Sequence, residues 1–224
     1  MSLKINKNII SFSETVEAAK SSQKTRLLMR HSFRESLQHG NYDPGLTPEG
    51  FEYARQCGSL LKNMTEVCFA SSSRKRTCET LQAIMEGGMF GSHEITPCPL
   101  LHDTAIFERP ETLGEIIEDG TIPRLLKEYF STGKAAGFID VRNFSEKLLT
   151  FLTETEFQEK NVILASHDIV IVSLLAPLEI YPFRQDDWCG YLQGTFLRQD
   201  HNGNWEIFYA VPDKNNRTVY SLFI

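Results

Sequence analysis

At 224 residues the chain has room for one large domain or two small ones, and its 41% hydrophobic and 23% charged content is that of an ordinary soluble globular protein. A net charge of −6 and a pI near 5.6 exclude broad electrostatic attraction to nucleic acid or an anionic membrane, so an anion site here needs a local cluster of arginines. Nothing reaches the apolar length of a bilayer span or a signal region, and the scattered cysteines form no Cys-x-x-Cys pair, so a reducing, cytoplasmic setting is the expectation.

In chain order, residues 13–20 read as a short opening helix with Ser13 as N-cap and acids in its first turn. An apolar strand follows over about 25–29 and runs into Arg30, His31 and Arg34. Glycine, asparagine and proline make 31–46 a loop. Thr47 and Pro48 then supply an N-cap and a proline at the first helical position. That helix is expected to reach about Lys62, with Phe51, Ala54, Leu60 and Leu61 inward. Residues 67–70 form a short buried strand bounded by serines, and 71–73 lead into a helix from Arg74 to about Met85, closed by Gly87 and Gly88.

Residues 95–101 are a candidate strand that Pro97 and Pro99 confine to a sheet edge. Within about 89–137, short apolar groups broken by proline and glycine suggest a small helical insertion that caps the strand ends. Residues 139–154 have amphipathic helical spacing through Val141, Phe144, Leu148, Leu149 and Leu152. Residues 161–167 are the clearest central strand, and Asp168 opens an apolar helix to about Leu175. Residues 191–198 and 205–210 are β-rich around a hairpin signal, and 218–224 are a candidate last strand. The economical architecture is α/β: one domain over 1–224, in three α/β/α layers with a largely parallel central sheet.

Three segments share one grammar, an apolar strand, then polar groups, then a helix or loop. They are Arg30-His31-Ser32-Phe33-Arg34, the stretch 71–77, and Ser166-His167-Asp168. In a doubly wound sheet all three converge on the carboxyl edge, where such sheets bind ligands. Guanidinium groups flanking an imidazole suit a phosphate-like dianion with a nitrogen nucleophile at its centre.

Taken in order, these motifs resemble the histidine phosphatase superfamily, which holds acid phosphatases, phytases and cofactor-dependent phosphoglycerate mutases. Arg30-His31-Ser32 stands where the family has Arg-His-Gly, and Leu46-Thr47-Pro48-Glu49-Gly50 matches Leu-Thr-x-x-Gly. Ser72 through Arg76-Thr77 to Thr80 matches Ser-x-x-x-Arg-Thr-x-x-Thr, and Ser166-His167 closes the last strand. The resemblance implies a phosphoglycerate mutase-like fold. Arg34 and Asp168 lean it toward the acid-phosphatase branch, which has Arg-His-x-x-Arg and His-Asp at these places, although the chain is short for that branch.

On this reading the enzyme is a phosphatase acting on a phosphomonoester. His31 attacks phosphorus as a neutral imidazole and carries a phosphohistidine, while Arg30, Arg34 and Arg76 grip the equatorial oxygens. His167 donates a hydrogen bond to the transferring group, and Asp168 is the general acid. No metal or organic cofactor is expected, because arginines supply the positive charge. The expected partner is a phosphorylated small molecule, not nucleic acid or membrane, and the sequence says nothing of oligomeric state.

Each role has a rival. Asp103 stands about where mutases place a glutamate, and Glu108 is a weaker alternative acid. Asp168 also suits a helix N-cap, and Arg76 a solvated helix position beside Arg74 and Lys75. His39, His93, His102 and His201 read as surface residues, and the arginines count against a metal on His31, Asp43 and His167. Ser32, in place of the family glycine, adds a side chain that either binds phosphate or crowds it. Arg109, Arg124, Lys127 and Lys134 are candidates for a second acidic group. The competing functions are a cofactor-dependent phosphomutase and a catalytically weak phospho-ligand binding module.

Overall fold

The computed structural model describes residues 2–36, 43–109, 122–180 and 188–212. Its strands are β1 (Leu3–Ser11), β2 (Lys24–Arg30), β3 (Val67–Ser71), β4 (Ile95–Pro97), β5 (Asn161–Ser166), β6 (Gly194–Gln199) and β7 (Trp205–Val211). Its helices are α1 (Phe12–Lys20), α2 (Pro48–Leu61), α3 (Lys75–Gly88), α4 (Ile122–Thr132), α5 (Val141–Glu154) and α6 (Asp168–Leu175). The strands form one seven-stranded sheet in the order β1-β7-β6-β2-β5-β3-β4, in which only β6 runs against the others.

Side-chain alternation divides the core into the two faces of that sheet. On β2, Leu27 and Met29 join Ile163 and Ala165 of β5 in a cluster covered by α1, α2 and α3. Leu28, with Val162 and Leu164, joins the opposite cluster, covered by α4, α5 and α6. This is the expected α/β/α arrangement. Strand β5, buried at every position, lies between β2 and β3 and so brings the three chemistry-bearing strand ends side by side. Strand β4 is an edge strand, as its prolines require, and residues 99–101 form a 3-10 turn instead of continuing it.

Several details differ from expectation. Strand β1 was not foreseen; its polar lysine and asparagine residues hide a strand that adds in parallel to β7. The N-cap of α1 is Ser11, not Ser13, because Ser11 and Glu14 close a reciprocal capping box. In α2 the inward residues include Ala54, Cys57 and Leu61, whereas Leu60 is exposed. Helix α3 runs through both glycines to Gly88, since a Cβ at Gly87 would run into the Arg55 carbonyl of α2; that glycine serves close packing, not termination. Leu125, Leu126 and Tyr129 of α4 pack into the same cluster as Phe144 and Leu148, so the described part of the insertion helps form a main layer. The candidate strand at 218–224 and His39 lie outside the described residues. Among the described residues no helix is long and apolar enough to cross a membrane.

Candidate active site

Register sets the site. Arg30 pairs with Ser166 and Ser71 with Ala165, and the His31 amide donates to the Ser166 carbonyl at 2.9 Å. The rings of His31 and His167 are therefore brought to 5.5 Å, centroid to centroid.

His31 is buried, and its Nδ1 lies 2.7 Å from the Ser32 carbonyl. A carbonyl only accepts, so Nδ1 carries the proton and Nε2 keeps its lone pair. Burial holds the imidazole pKa well below 6.5, and the charges of Arg30, His167 and Arg76 push the same way. The result is a neutral imidazole in a cationic surrounding, the state a nitrogen nucleophile needs.

Ser32 is buried, and both its hydroxyl and its amide are engaged within the fold. Its Oγ donates to the Gly50 carbonyl at 2.7 Å and its amide donates to Thr80 Oγ1 at 3.0 Å. Its side chain thus ties the His31 loop to the start of α2, and its amide ties it to α3. Gly50 has a matching reason to be glycine, because a Cβ there would run into the Phe33 carbonyl. Thr80 Oγ1 also donates to the Arg76 carbonyl at 2.7 Å. The terminal threonine of the arginine motif thereby bridges the backbones of the two site segments.

His167, also buried, accepts at Nδ1 from Arg76 Nη2 at 3.3 Å. Its other nitrogen, Nε2, must then be the donor to Ser72 Oγ, 3.0 Å away. Burial lowers its pKa to about 3, with Arg76 acting in the same direction against the pull of Asp103 and Asp168. Arg76 is 5% exposed and is no solvated helix residue. It donates to Asp103 Oδ2 at 2.7 Å and to Asp43 Oδ1 at 3.4 Å. Its Nε and that of Arg30 are buried and have no hydrogen-bond partner among the described residues, donors of the kind an oxyanion takes.

Two carboxylates flank the imidazoles, and both stay ionised. Asp168 Oδ2 faces Arg30 Nη2 at 3.0 Å and accepts from Trp188 Nε1 at 3.0 Å, while Oδ1 accepts from the Ile169 amide at 2.8 Å. Burial would raise its pKa, but these partners lower it. Asp103 Oδ1 accepts from Arg74 Nε and Nη2 at 3.1 and 3.0 Å and lies 2.9 Å from His102 Nδ1. Burial again opposes the charge, and His102, His167, Arg74 and Arg76 overcome it, so its pKa is strongly lowered.

The expected clamp is therefore partly redrawn. Arg30 and Arg76 stand at the imidazoles, and Arg30 also lies 4.2 Å above the Tyr191 ring and donates to the Cys189 carbonyl. Arg34 is half-buried and donates to the Glu35 carbonyl at 2.8 Å, although its charge is still felt at Arg76. Asp168 is the first residue of α6, and His167 holds the N-cap position. Arg34 and Asp168 thus have structural partners that account for them without the acid-phosphatase pattern.

His102 is corrected from a surface residue to a neighbour of the site, with its ring 6.2 Å from that of His167. His93 and His201 are exposed, as are Glu108, Arg109, Arg124, Lys127 and Lys134, and Lys134 faces Asp140 at 3.8 Å. Asp43 is occupied by the Lys75 amide and Arg76; among the described residues no three His, Cys, Asp or Glu side chains are grouped to hold a metal ion. Arg74, Tyr191 and Trp188 complete the site without having been expected. Arg74 was visible only as a charge next to Arg76, and the two aromatics belong to no motif.

Residues 27–191 match the family model described as histidine phosphatase superfamily (branch 1). Solved structures of similar fold include a mycobacterial glucosyl-3-phosphoglycerate phosphatase, 18% identical over 84% of this chain and 99% of that one, with TM-score 0.56. Phosphoglycerate mutase from Bacillus anthracis is 16% identical over 92% and 95%, with TM-score 0.52. The protein histidine phosphatase SixA, complexed with tungstate, is 17% identical over 84% and 97%, with TM-score 0.51. At these identities the likeness is one of fold, and no curated protein matches the sequence. The family match runs from the apolar strand before Arg30 through Tyr191, taking in both buried histidines and Arg76, and the chain belongs to the histidine phosphatase superfamily.

Proposed function

We propose that the chain is a metal-independent phosphomonoesterase that works through a phosphohistidine on His31. The observation that carries this reading is the buried, neutral His31 imidazole. Its Nδ1–H is fixed on the Ser32 carbonyl, and Arg30, Arg76 and His167 surround it. Nε2 attacks phosphorus, the ester P–O bond breaks, and the phosphoryl group is held on nitrogen while its charge rests on the arginines. Water then cleaves the P–N bond, releasing phosphate and restoring the neutral imidazole. Arg34 and Arg74 add to the positive field from further out. A bound dianion favours the imidazolium form of His167, which then donates from Nδ1 while Nε2–H stays on Ser72.

For the proton donor the geometry favours Asp103 over Asp168. The contacts of Asp168 include a backbone amide and an indole N–H, and they bind it to the task of orienting Arg30. Asp103 leans on Arg76, the arginine that also touches His167. When Arg76 turns to phosphoryl oxygens, Asp103 loses a cation and gains a neighbouring dianion. Both changes raise its pKa toward the range in which it can carry a proton, while Arg74 stays on Oδ1 and leaves Oδ2 to face the leaving group. His102 Nδ1, at 2.9 Å, offers a route for that proton.

The test is hydrolysis of radiolabelled p-nitrophenyl phosphate with a chelator present, with an alkaline quench to trap the phosphoenzyme, because the P–N bond of a phosphohistidine is lost in acid and kept in base. Turnover that His31→Ala abolishes, together with trapped label on wild type, is the expected result. No turnover, or equal turnover by the variant, overturns the reading, and dependence on a bisphosphorylated primer would replace it with a phosphomutase. Asp103→Asn should lower kcat for alkyl phosphates by roughly 10²–10³-fold and spare aryl phosphates, whose leaving groups need no proton. Asp168→Asn should act mainly on KM, through Arg30. The reverse pattern would return the acid role to Asp168.

A further inference from the structure

A cavity of about 850 Å³ opens beside the site, between α5 and the segment that follows β4. Leu100, Ala105, Ile139 and Phe151 line it, each half-buried with its inner side packed on the sheet core. Its size lies within the range of pockets that take small organic molecules.

Two lining residues join the cavity to the catalytic groups. Ser73 follows Ser72, whose Oγ holds His167, and His102 precedes Asp103, whose Oδ2 holds Arg76. The rings of His31, His167 and His102 form a series at 5.5 and 6.2 Å, and the third is part of the cavity wall. If Asp103 protonates the leaving oxygen, the carbon attached to that oxygen begins next to His102, at the mouth of the cavity. The charges at its rim, Lys147 and Glu108, are one of each sign and supply no site for a second phosphate. Ser73, Thr104 and the two rim charges could meet some hydroxyls of a sugar, but those set against Leu100, Ala105, Ile139 and Phe151 would find no partner, so this wall suits an apolar group better.

From this we infer that the cavity holds the organic part of the substrate, and that the preferred substrate is a phosphomonoester of an apolar alcohol, alkyl or aryl. The inference rests on the phosphatase reading of the site and narrows it to a substrate class.

Non-hydrolysable phosphonates separate the two claims by calorimetry on the full chain. Each methylene inside the cavity adds up to about fourfold in affinity, so n-octylphosphonate should bind at least about tenfold more tightly than methylphosphonate. Ala105→Phe, which fills the cavity, and Phe151→Ser, which makes its wall polar, should each bring that ratio toward one. Binding of methylphosphonate by each variant reports that the phosphoryl end is still formed. An octyl-to-methyl ratio near one in wild type overturns the inference, as does a ratio that neither variant alters. Faster turnover of glucose 6-phosphate than of octyl phosphate overturns it too. In those cases methylphosphonate still binds and aryl phosphate is still hydrolysed; loss of both would instead bring down the underlying reading of the site.

Discussion

The proton of His31 is controlled by a single carbonyl and by burial, and this has a consequence for stability. In the unfolded chain a histidine titrates near 6.5, whereas in the fold His31 and His167 stay neutral to far lower pH, His167 to about 3. Between these limits the unfolded chain binds more protons, so stability rises with pH. Urea unfolding should show ΔG falling from pH 7 to pH 5 by about 2 kcal/mol for each buried imidazole. Asp103 and Asp168, whose pKa values are depressed, extend the loss to still lower pH. For the same reason kcat/KM, corrected for ionisation of the substrate, should have no acid limb near 6.5. Ser32→Ala should cost about 0.5–1.5 kcal/mol by removing the hydroxyl's hydrogen bond to the Gly50 carbonyl, which keeps its partner within α2. If Ser32 does not touch phosphate, KM should move by no more than about twofold.

At the scale of elements, Gly50 is where α2 is seated on the loop carrying His31. Gly50→Ala forces the Phe33 carbonyl aside and should lower stability by about 1–3 kcal/mol. Thermal unfolding would register it, and kcat should fall with it, because Ser32 and the His31 ring ride on the same loop. The strand–helix alternation, the central place of 161–167 and the edge place of 95–97 were all legible in the sequence, because apolar runs and prolines report burial and edges locally. Strand β1 was not legible. Residues such as Lys4, Asn6 and Lys7 carry no buried face, and the strand exists because the free edge of β7 accepts it. The motif residues Arg30, His31, Arg76 and His167 could be read because their chemistry is rare at strand ends. His102, Arg74, Trp188 and Tyr191 could not, because their work depends on which chain segments become neighbours.

Across the whole molecule, the layer opposite α1, α2 and α3 is tied to the sheet by a charge. Arg26, 1% exposed, donates to the carbonyls of Leu152, Thr25 and Lys160 at 3.1, 2.9 and 3.3 Å. Its guanidinium lies 4.9 and 5.5 Å from the ring centres of Phe157 and Trp205, and burial brings its pKa down to about 10. Arg26→Met keeps most of the volume but leaves three carbonyls short of a donor, so a loss of about 2–4 kcal/mol in denaturant unfolding is expected. Arg26 lies toward the start of β2 and the site at its end, so turnover per folded molecule should be unchanged. An equally stable variant would show that these contacts matter little.

Strand β1 pairs with β7 from Leu3↔Trp205 to Ser11↔Val211. During synthesis β1 must therefore wait for a strand that leaves the ribosome about 200 residues later. At about 5–20 residues per second, the delay is on the order of 10–40 s. Throughout that time a β-competent segment is without its partner, and the lysines and asparagines that conceal it from sequence reading are the residue types that discourage other chains from pairing with it.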